Sequence, residues 1–276
     1  MANTINTSFA TQFSAEVKLA YDQNKPKIVP ATDIRRNVKG SVYQFENYDT
    51  SDAVARPGRN QDLTIADMTH TPVTATLVDR YHQQALDDFD EFKTNVDVRR
   101  AYIRKGVQKI AKAQDVLAVA GLDAATMATG HTVDATAGLT KSKILEVNRV
   151  LDEAEVPNED RFIVVSPQQV EAALALAEVG NADFQIANAM QGLLTGTLTK
   201  AFGLTWIKSN YLTVNTGVID CYAFDRNAVG TAMGADITTN IGWDERMQAT
   251  LFTAKTSLAT AVIDTAGVVK VQCTES

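Results

Sequence analysis

The three histidines are the first candidates for catalytic or metal-binding residues, because histidine is a common general base and metal ligand. The 276-residue chain has His70, His82 and His131, whose wide spacing matches no ligand motif. The sequence also contains no GxSxG elbow, no P-loop and no GxGxxG following a strand. We therefore expect no enzyme, no cofactor and no metal site. A soluble enzyme stays open as an alternative, because distant residues can converge in a fold.

The candidate nucleophiles have simpler structural interpretations. Ser166 directly precedes Pro167, and this pair is typical of a helix start, with serine as the N-cap and proline as the first helical residue. No base with a plausible spacing accompanies Ser166. Cys221 and Cys273 lie in apolar, strand-like segments, which predicts buried reduced thiols rather than a disulfide framework or a zinc site.

Composition indicates a folded protein, since 45% of the residues are hydrophobic and 21% are charged. The N-terminus lacks the pattern of a signal peptide, and the longest apolar stretch, 116–122, is far shorter than the ~20 residues of a membrane span. We expect neither secretion nor membrane insertion. The net charge of -7 argues against sequence-specific nucleic-acid binding, but it allows a weak contact.

The elements that position these residues are clearest at 161–212, where we predict a β-α-β module. The apolar run 162–165 predicts a buried strand, and Ser166-Pro167 begins the helix that follows it. Glycines at 192, 196 and 203 predict turns and a hairpin in the second half of the module.

The first 85 residues contain few apolar segments that could form a hydrophobic core on their own. Phe9 and Phe13 begin an apolar stripe, continued by Val17 and Tyr21, that predicts a short amphipathic helix. Segments 40–45 and 71–78 alternate as strands do, and a Pro57-Gly58 turn between them carries Arg56 and Arg59. We predict a long two-stranded arm with a charged tip, the alternative being a disordered surface loop.

A long helix is predicted from about 96 to 120, because apolar residues recur there on one face. Its polar face carries six cations with no intervening acid: Arg99, Arg100, Arg104, Lys105, Lys109 and Lys112. These cations could face neighbouring subunits or nucleic acid, or they could form a solvated face with ordinary surface ion pairs.

After residue 140 the pattern changes to an α/β rhythm. Ile144, Val147 and Leu151 mark a helix, and 218–233 is predicted to be an apolar strand followed by a short helix. The last thirty residues are predicted to form strands around a turn at 264–267 and to pack back on the long helix.

This order of parts resembles the major capsid proteins of tailed bacteriophages, which have the HK97-like fold. The local similarities that carry the resemblance are VVSPQQVEAAL (164–174), GLTWIKSNYL (203–212) and CYAFDRNAVGTAMG (221–234). It implies an α+β fold with an N-terminal arm, an extended E-loop, a spine helix with a peripheral sheet (P-domain) and a central A-domain. The corresponding ranges are 1–39 for the N-terminal arm, 40–84 for the E-loop, 85–136 for the P-domain, 137–243 for the A-domain and 244–276 for C-terminal strands returning to the P-domain.

The resemblance implies a subunit that assembles with itself, through hexamers and pentamers, into an icosahedral shell around a double-stranded DNA genome. It also implies a separate scaffolding protein, a portal, a decoration protein, and non-specific contact with packaged DNA. The protein would belong to the virion capsid and assemble in the cytoplasm of the bacterial host. An encapsulin-type compartment, which encloses cargo proteins, has a similar shell and is the closer alternative.

Four residues are candidates for contacts between subunits. Arg56 and Arg59 lie at a projecting turn, and we expect acidic partners for them on an adjacent subunit. Phe9 and Phe13 form an apolar edge that needs a partner outside its own segment.

Overall fold

The computed structural model describes residues 23–50, 58–59, 68–87, 98–134, 137–175 and 200–275. The predicted N-terminal helix with Phe9 and Phe13, and also Arg56, lie outside the described residues. The helices within these ranges are α1 (Val98–Asp123), α2 (Lys141–Glu153) and α3 (Pro167–Leu174). The strands are β1 (Asp33–Arg36), β2 (Val42–Thr50), β3 (Met68–Thr76), β4 (Val78–Asp87), β5 (Thr132–Val133), β6 (Arg161–Val165), β7 (Lys200–Ala201), β8 (Leu204–Lys208), β9 (Val214–Asn215), β10 (Val218–Asp225), β11 (Val229–Asp244), β12 (Ala249–Val262) and β13 (Val268–Thr274).

The first sheet has the strand order β1-β11-β12-β4, and α1 packs against it. Helix α1 contains 26 residues and is therefore about 39 Å long. The long predicted helix is confirmed, and it continues three residues beyond the expected end at 120. Of the apolar positions that the sequence placed on one face, Ile110 is buried, whereas Ile103 and Leu117 are only half-buried. The buried face continues instead through Ala118 and Leu122.

Gly121 allows the closest approach between α1 and the sheet. A Cβ atom at this position would lie 2.3 Å from the Thr260 carbonyl oxygen, whereas a Cβ atom at Gly242 would meet nothing within 4 Å. A side chain at 121 therefore forces the helix and strand β12 apart.

We expect the substitution Gly121→Ala to lower the free energy of unfolding by about 1–3 kcal/mol, because the added methyl group overpacks the contact and backbone atoms of β12 can move away only at a cost in free energy. Urea unfolding followed by circular dichroism measures the change. Gly242→Ala is the matched control and should stay within about 0.5 kcal/mol of the parent protein. Equal effects of the two substitutions would contradict the close contact.

The second sheet has the order β5-β13-β10-β6-β8-β7, with β9 also paired to β10. Strand β6 is buried along its whole length and runs parallel to β8, with α3 between them in sequence. The predicted β-α-β module is thus confirmed. The Ser166 hydroxyl accepts a hydrogen bond from the Gln169 amide at 3.4 Å, as expected of an N-cap.

Strands β2 and β3 form a separate antiparallel ribbon, which we call the arm. The arm is attached at its base, where Phe45 joins a small apolar cluster with Ala75, Ala232, Ala259 and Ala261. The predicted two-stranded ribbon is therefore present. The chain then leaves the arm through β4, which pairs with β12 at the edge of the first sheet.

Three expectations about the C-terminal part and the boundaries differ from the structure. Residues 226–228 form only one 3-10 turn, and β11 follows where a short helix was expected, because it pairs with β12 over most of its length. Of the last thirty residues, which were expected to pack back on the long helix, β12 does pack on α1, whereas β13 lies between β10 and β5 in the second sheet. β1, expected within the N-terminal arm, pairs with β11 in the first sheet. The first sheet thus takes strands from both sides of the boundary predicted at 243.

Candidate assembly interface

The fold does not bring the three histidines together. His70 packs edge-on against Tyr48 in the arm, with ring centroids 4.7 Å apart. His82 lies on β4 near Gly106 of α1, and His131 Nδ1 lies 3.0 Å from the Val268 carbonyl oxygen. Within the described ranges, no three His, Cys, Asp or Glu side chains are grouped as a metal ion would require.

The candidate nucleophiles have structural roles. Besides capping α3, the Ser166 hydroxyl donates a hydrogen bond to the Glu275 carboxylate. Cys221 and Cys273 are both free and buried, on the neighbouring strands β10 and β13. The hydrogen bond with Cys273, together with burial, raises the pKa of the Cys221 thiol. A protonated, buried thiol is unreactive, which agrees with the prediction of structural cysteines.

The described part of the chain contains no helix that is both long and apolar enough to cross a membrane.

The arm exposes apolar side chains along its described length. Val42, Tyr48 and Met68 are 48%, 50% and 58% exposed, whereas Phe45 at the base is buried. A ribbon of two strands is marginally stable alone. Its exposed apolar side chains bury little surface against their own chain. The arm therefore has apolar surface that contact with another molecule would bury.

The arm and helix α1 carry opposite charges. Residues 40–84 include six acidic and three basic residues, whereas α1 contains six basic and two acidic residues. Both acids of α1, Asp115 and Asp123, are bound within the fold. The net charges of the two elements are therefore opposite in sign.

Asp115 fastens the start of the described chain to α1. The side chain is fully buried, and its carboxylate accepts hydrogen bonds from the amides of Lys27, at 2.9 Å, and Ile28, at 3.0 Å. The Gln23 side-chain amide is its third donor. Sequence reasoning did not single out Asp115. The available signal was an acid in the middle of an otherwise apolar and cationic helix, in which the only other acid, Asp123, is the last residue.

Asp123 connects the end of α1 to the second sheet. Its carboxylate accepts hydrogen bonds from the hydroxyls of Tyr222, at 2.5 Å, and Thr213. Burial and the neighbouring Asp123 carboxylate raise the pKa of the Tyr222 hydroxyl, so the hydroxyl stays protonated and remains a donor. Helix α1 is therefore fixed at its far end as well as at Asp115, and its position relative to both sheets is defined.

Of the four predicted contact residues, the structure describes only Arg59, which is exposed beside Gly58 in a turn. Arg56, Phe9 and Phe13 lie outside the described residues, so the roles of all four stay predictions. The structure adds the exposed apolar groups of the arm and the basic surface of α1 to the candidate interface.

Comparison with known proteins gives one family match. A family described as "Phage capsid protein" matches residues 5–275, which is nearly the whole chain. No curated protein matches the sequence.

Solved structures with the same fold come from several phages. The structure titled "Mycobacterium phage Che8" has a TM-score of 0.72 and 17% identity, covering 97% of this chain and 98% of that one. The cyanophage P-SCSP1u capsid has a TM-score of 0.72 and 18% identity, covering 100% and 97% of the two chains. The Ralstonia phage GP4 capsid has a TM-score of 0.74 and 12% identity, covering 100% and 99%. These similarities confirm the α+β, HK97-like fold.

Proposed function

Because the chain belongs to the phage capsid protein family, we propose that it is the major capsid protein of a tailed bacteriophage. Its role is structural, and copies of the chain build the shell of the virion. The copies are arranged as hexamers and pentamers in an icosahedral lattice that encloses double-stranded DNA. The family match favours this function over an encapsulin-type compartment and over an enzyme.

The arm is the single observation that carries the assembly mechanism. It projects from a body of two sheets, is attached through one small alanine-rich cluster around Phe45, and leaves Tyr48 and Met68 exposed. When such an arm packs on the next copy, the contact joins two different surfaces and can repeat around a ring. Permanent interfaces of this kind commonly bury on the order of 2,000 Å² or more.

Charge complementarity selects the partner surface. The acidic arm lies against the basic face of α1 on the adjacent copy, and this opposite-charge contact favours one relative orientation over others. Phe9 and Phe13 bury their apolar edge on a neighbouring subunit. Arg56 and Arg59 pair with acidic residues of an adjacent subunit.

The assembly requires further partners. We propose a separate scaffolding protein, a portal at one vertex, and assembly in the cytoplasm of the bacterial host. A decoration protein on the outer surface and non-specific contacts with packaged DNA complete the set. The resemblance of this chain to the capsid subunits of tailed phages supports these partners.

Electron microscopy and sedimentation of the purified recombinant chain, at several protein concentrations, test the function. Closed shells, rings or tubes are the expected result. A strictly monomeric particle, even at high salt or with crowding agents, would count against the shell subunit. The contents of native particles separate the alternatives, because a genome with a portal indicates a virus and an enclosed enzyme indicates a compartment.

The double substitution Arg56→Ala/Arg59→Ala should reduce the yield of shells and lower the urea concentration at which they dissociate. Each lost ion pair between subunits contributes little alone, about 0.2–1 kcal/mol, but it is repeated at every copy. Sedimentation through a urea series measures the change. Lys39→Ala/Lys200→Ala is the control for the loss of two positive charges. Unchanged yield and dissociation in the arginine variant would refute the proposed contact.

A further inference from the structure

A basic cleft lies where α1, the 23–27 segment and the end of β8 meet. Its volume is about 640 Å³, and its lining includes Gln23, Lys27, Lys112, Lys208, Asn210 and Tyr211. Three lysines thus line one cleft of a chain whose net charge is -7. None of the described lining residues is acidic.

Contacts within the fold hold the lysines at the cleft. The Lys112 ammonium lies 5.0 Å from the centroid of the Tyr211 ring, which is a cation–π distance. The Lys27 ammonium donates a hydrogen bond to the Lys208 carbonyl oxygen at 3.3 Å. These contacts hold the Lys112 and Lys27 ammonium groups at the cleft lining.

The nearest defined carboxylate does not neutralise the cleft. Asp115 is fully buried beside it, and its oxygens accept hydrogen bonds from Gln23 and from the backbone amides of Lys27 and Ile28. Counting Asp115 against the three lysines leaves a net positive charge. An anion that enters from solvent meets the ammonium groups and the Asn210 side chain before it meets the carboxylate.

We propose that this cleft binds a phosphate of a nucleic-acid backbone. The proposal rests on the proposed function, since it requires that the chain meets packaged nucleic acid, and it assigns that contact to named residues. Lys109 and Lys105 precede Lys112 by one and two helical turns, so they lie on the same side of α1 as the cleft lysine. Contacts to phosphates fix the position of a nucleic acid without reading its sequence.

The test uses a fluorescein-labelled, mixed-sequence double-stranded DNA of 20 base pairs and measures fluorescence anisotropy between 50 and 200 mM NaCl. Lys112→Ala/Lys208→Ala removes two of the three ammonium groups. Lys39→Ala/Lys255→Ala is the matched control, because both of these lysines are exposed and lie outside the cleft lining. We expect the cleft variant to bind at least about tenfold more weakly and, because one phosphate contact is lost, to lose about 0.9 from the slope of log K against log salt. The control should stay within about twofold of the parent protein.

Two results would overturn the proposal. One is oligonucleotide binding by the cleft variant that equals that of the control. The other is polyglutamate of matched length binding as tightly as the DNA, with the same dependence on Lys112 and Lys208, since the cleft would then recognise an acidic protein segment. Circular dichroism melting of each variant verifies the fold.

Shell formation is scored separately by electron microscopy. A cleft variant that forms shells but binds DNA weakly supports both proposals. A parent chain that forms no shells contradicts the proposed function, whatever its affinity for the oligonucleotide.

Discussion

A chain in which Asn-Gly replaces residues 46–72 is expected to fold but to form no shells. The replacement joins Phe45 to Val73, which are paired in the native register, through a two-residue turn that suits an antiparallel hairpin. Phe45 keeps its place in the alanine-rich cluster, so the body loses little of its own packing. What disappears is the arm beyond its base, including Tyr48, Met68 and both candidate arginines.

Analytical ultracentrifugation and electron microscopy of this variant should show monomers at concentrations where the parent chain assembles completely. Circular dichroism should show a cooperative melting transition. Shells of parental size would contradict the assembly role of the arm. If the shortened chain fails to fold, Tyr48→Ser/Met68→Ser gives the second test, because it leaves the backbone intact and removes only exposed apolar groups. That variant should assemble at a protein concentration at least about tenfold higher, since each buried side chain contributes about 1.5–3 kcal/mol per contact.

The second large effect is expected from Asp115→Ala, which should destabilise the folded subunit by roughly 3 kcal/mol. The substitution leaves the backbone amides of Lys27 and Ile28 without their acceptor, and an unpaired buried amide costs about 1–3 kcal/mol. The segment that leads from the N-terminal region to β1 then loses its attachment to α1.

Urea unfolding of the unassembled subunit measures this effect, because the lattice would mask it. Asp236→Ala is the control, since Asp236 forms an exposed ion pair with Arg36 at 3.6 Å and an exposed, local hydrogen bond with the Ile237 amide, and should contribute about 1 kcal/mol or less. A loss of stability no larger than that of the control would show that water replaces the carboxylate at no cost. Asp115→Asn should have an intermediate effect, because one carboxamide oxygen can still accept a hydrogen bond.

The elements that could be predicted from sequence are those with a local cause. The run 162–165 with Ser166-Pro167 gave a strand and a capped helix, because burial and capping act within a few residues. The helical periodicity of α1 and the turn at Gly58 and Arg59 are local in the same sense. Pairing between distant strands has no such signal. β1 pairs with β11 across about 200 residues of chain, and nothing in the sequence of either segment indicates which strand it pairs with.

The candidate site followed the same rule. Arg59 could be selected because a turn with charged residues is visible in the sequence. Asp115 and the basic cleft could not, because the cleft joins Lys27, Lys112 and Lys208, which are more than 80 residues apart in sequence. The cations of α1 were recognised as a group, and only the fold shows that one of them, Lys112, meets lysines from two other segments.

The position of β13 makes the second sheet dependent on one late strand. This strand lies between β10 and β5, so the second sheet stays divided until residues 268–274 have been synthesised. A polypeptide released before that point has exposed strand edges and is degraded readily by proteases. Because a lattice of many copies is weakened by each faulty one, this topology acts as quality control: a chain must include residues 268–274 to become a competent building block.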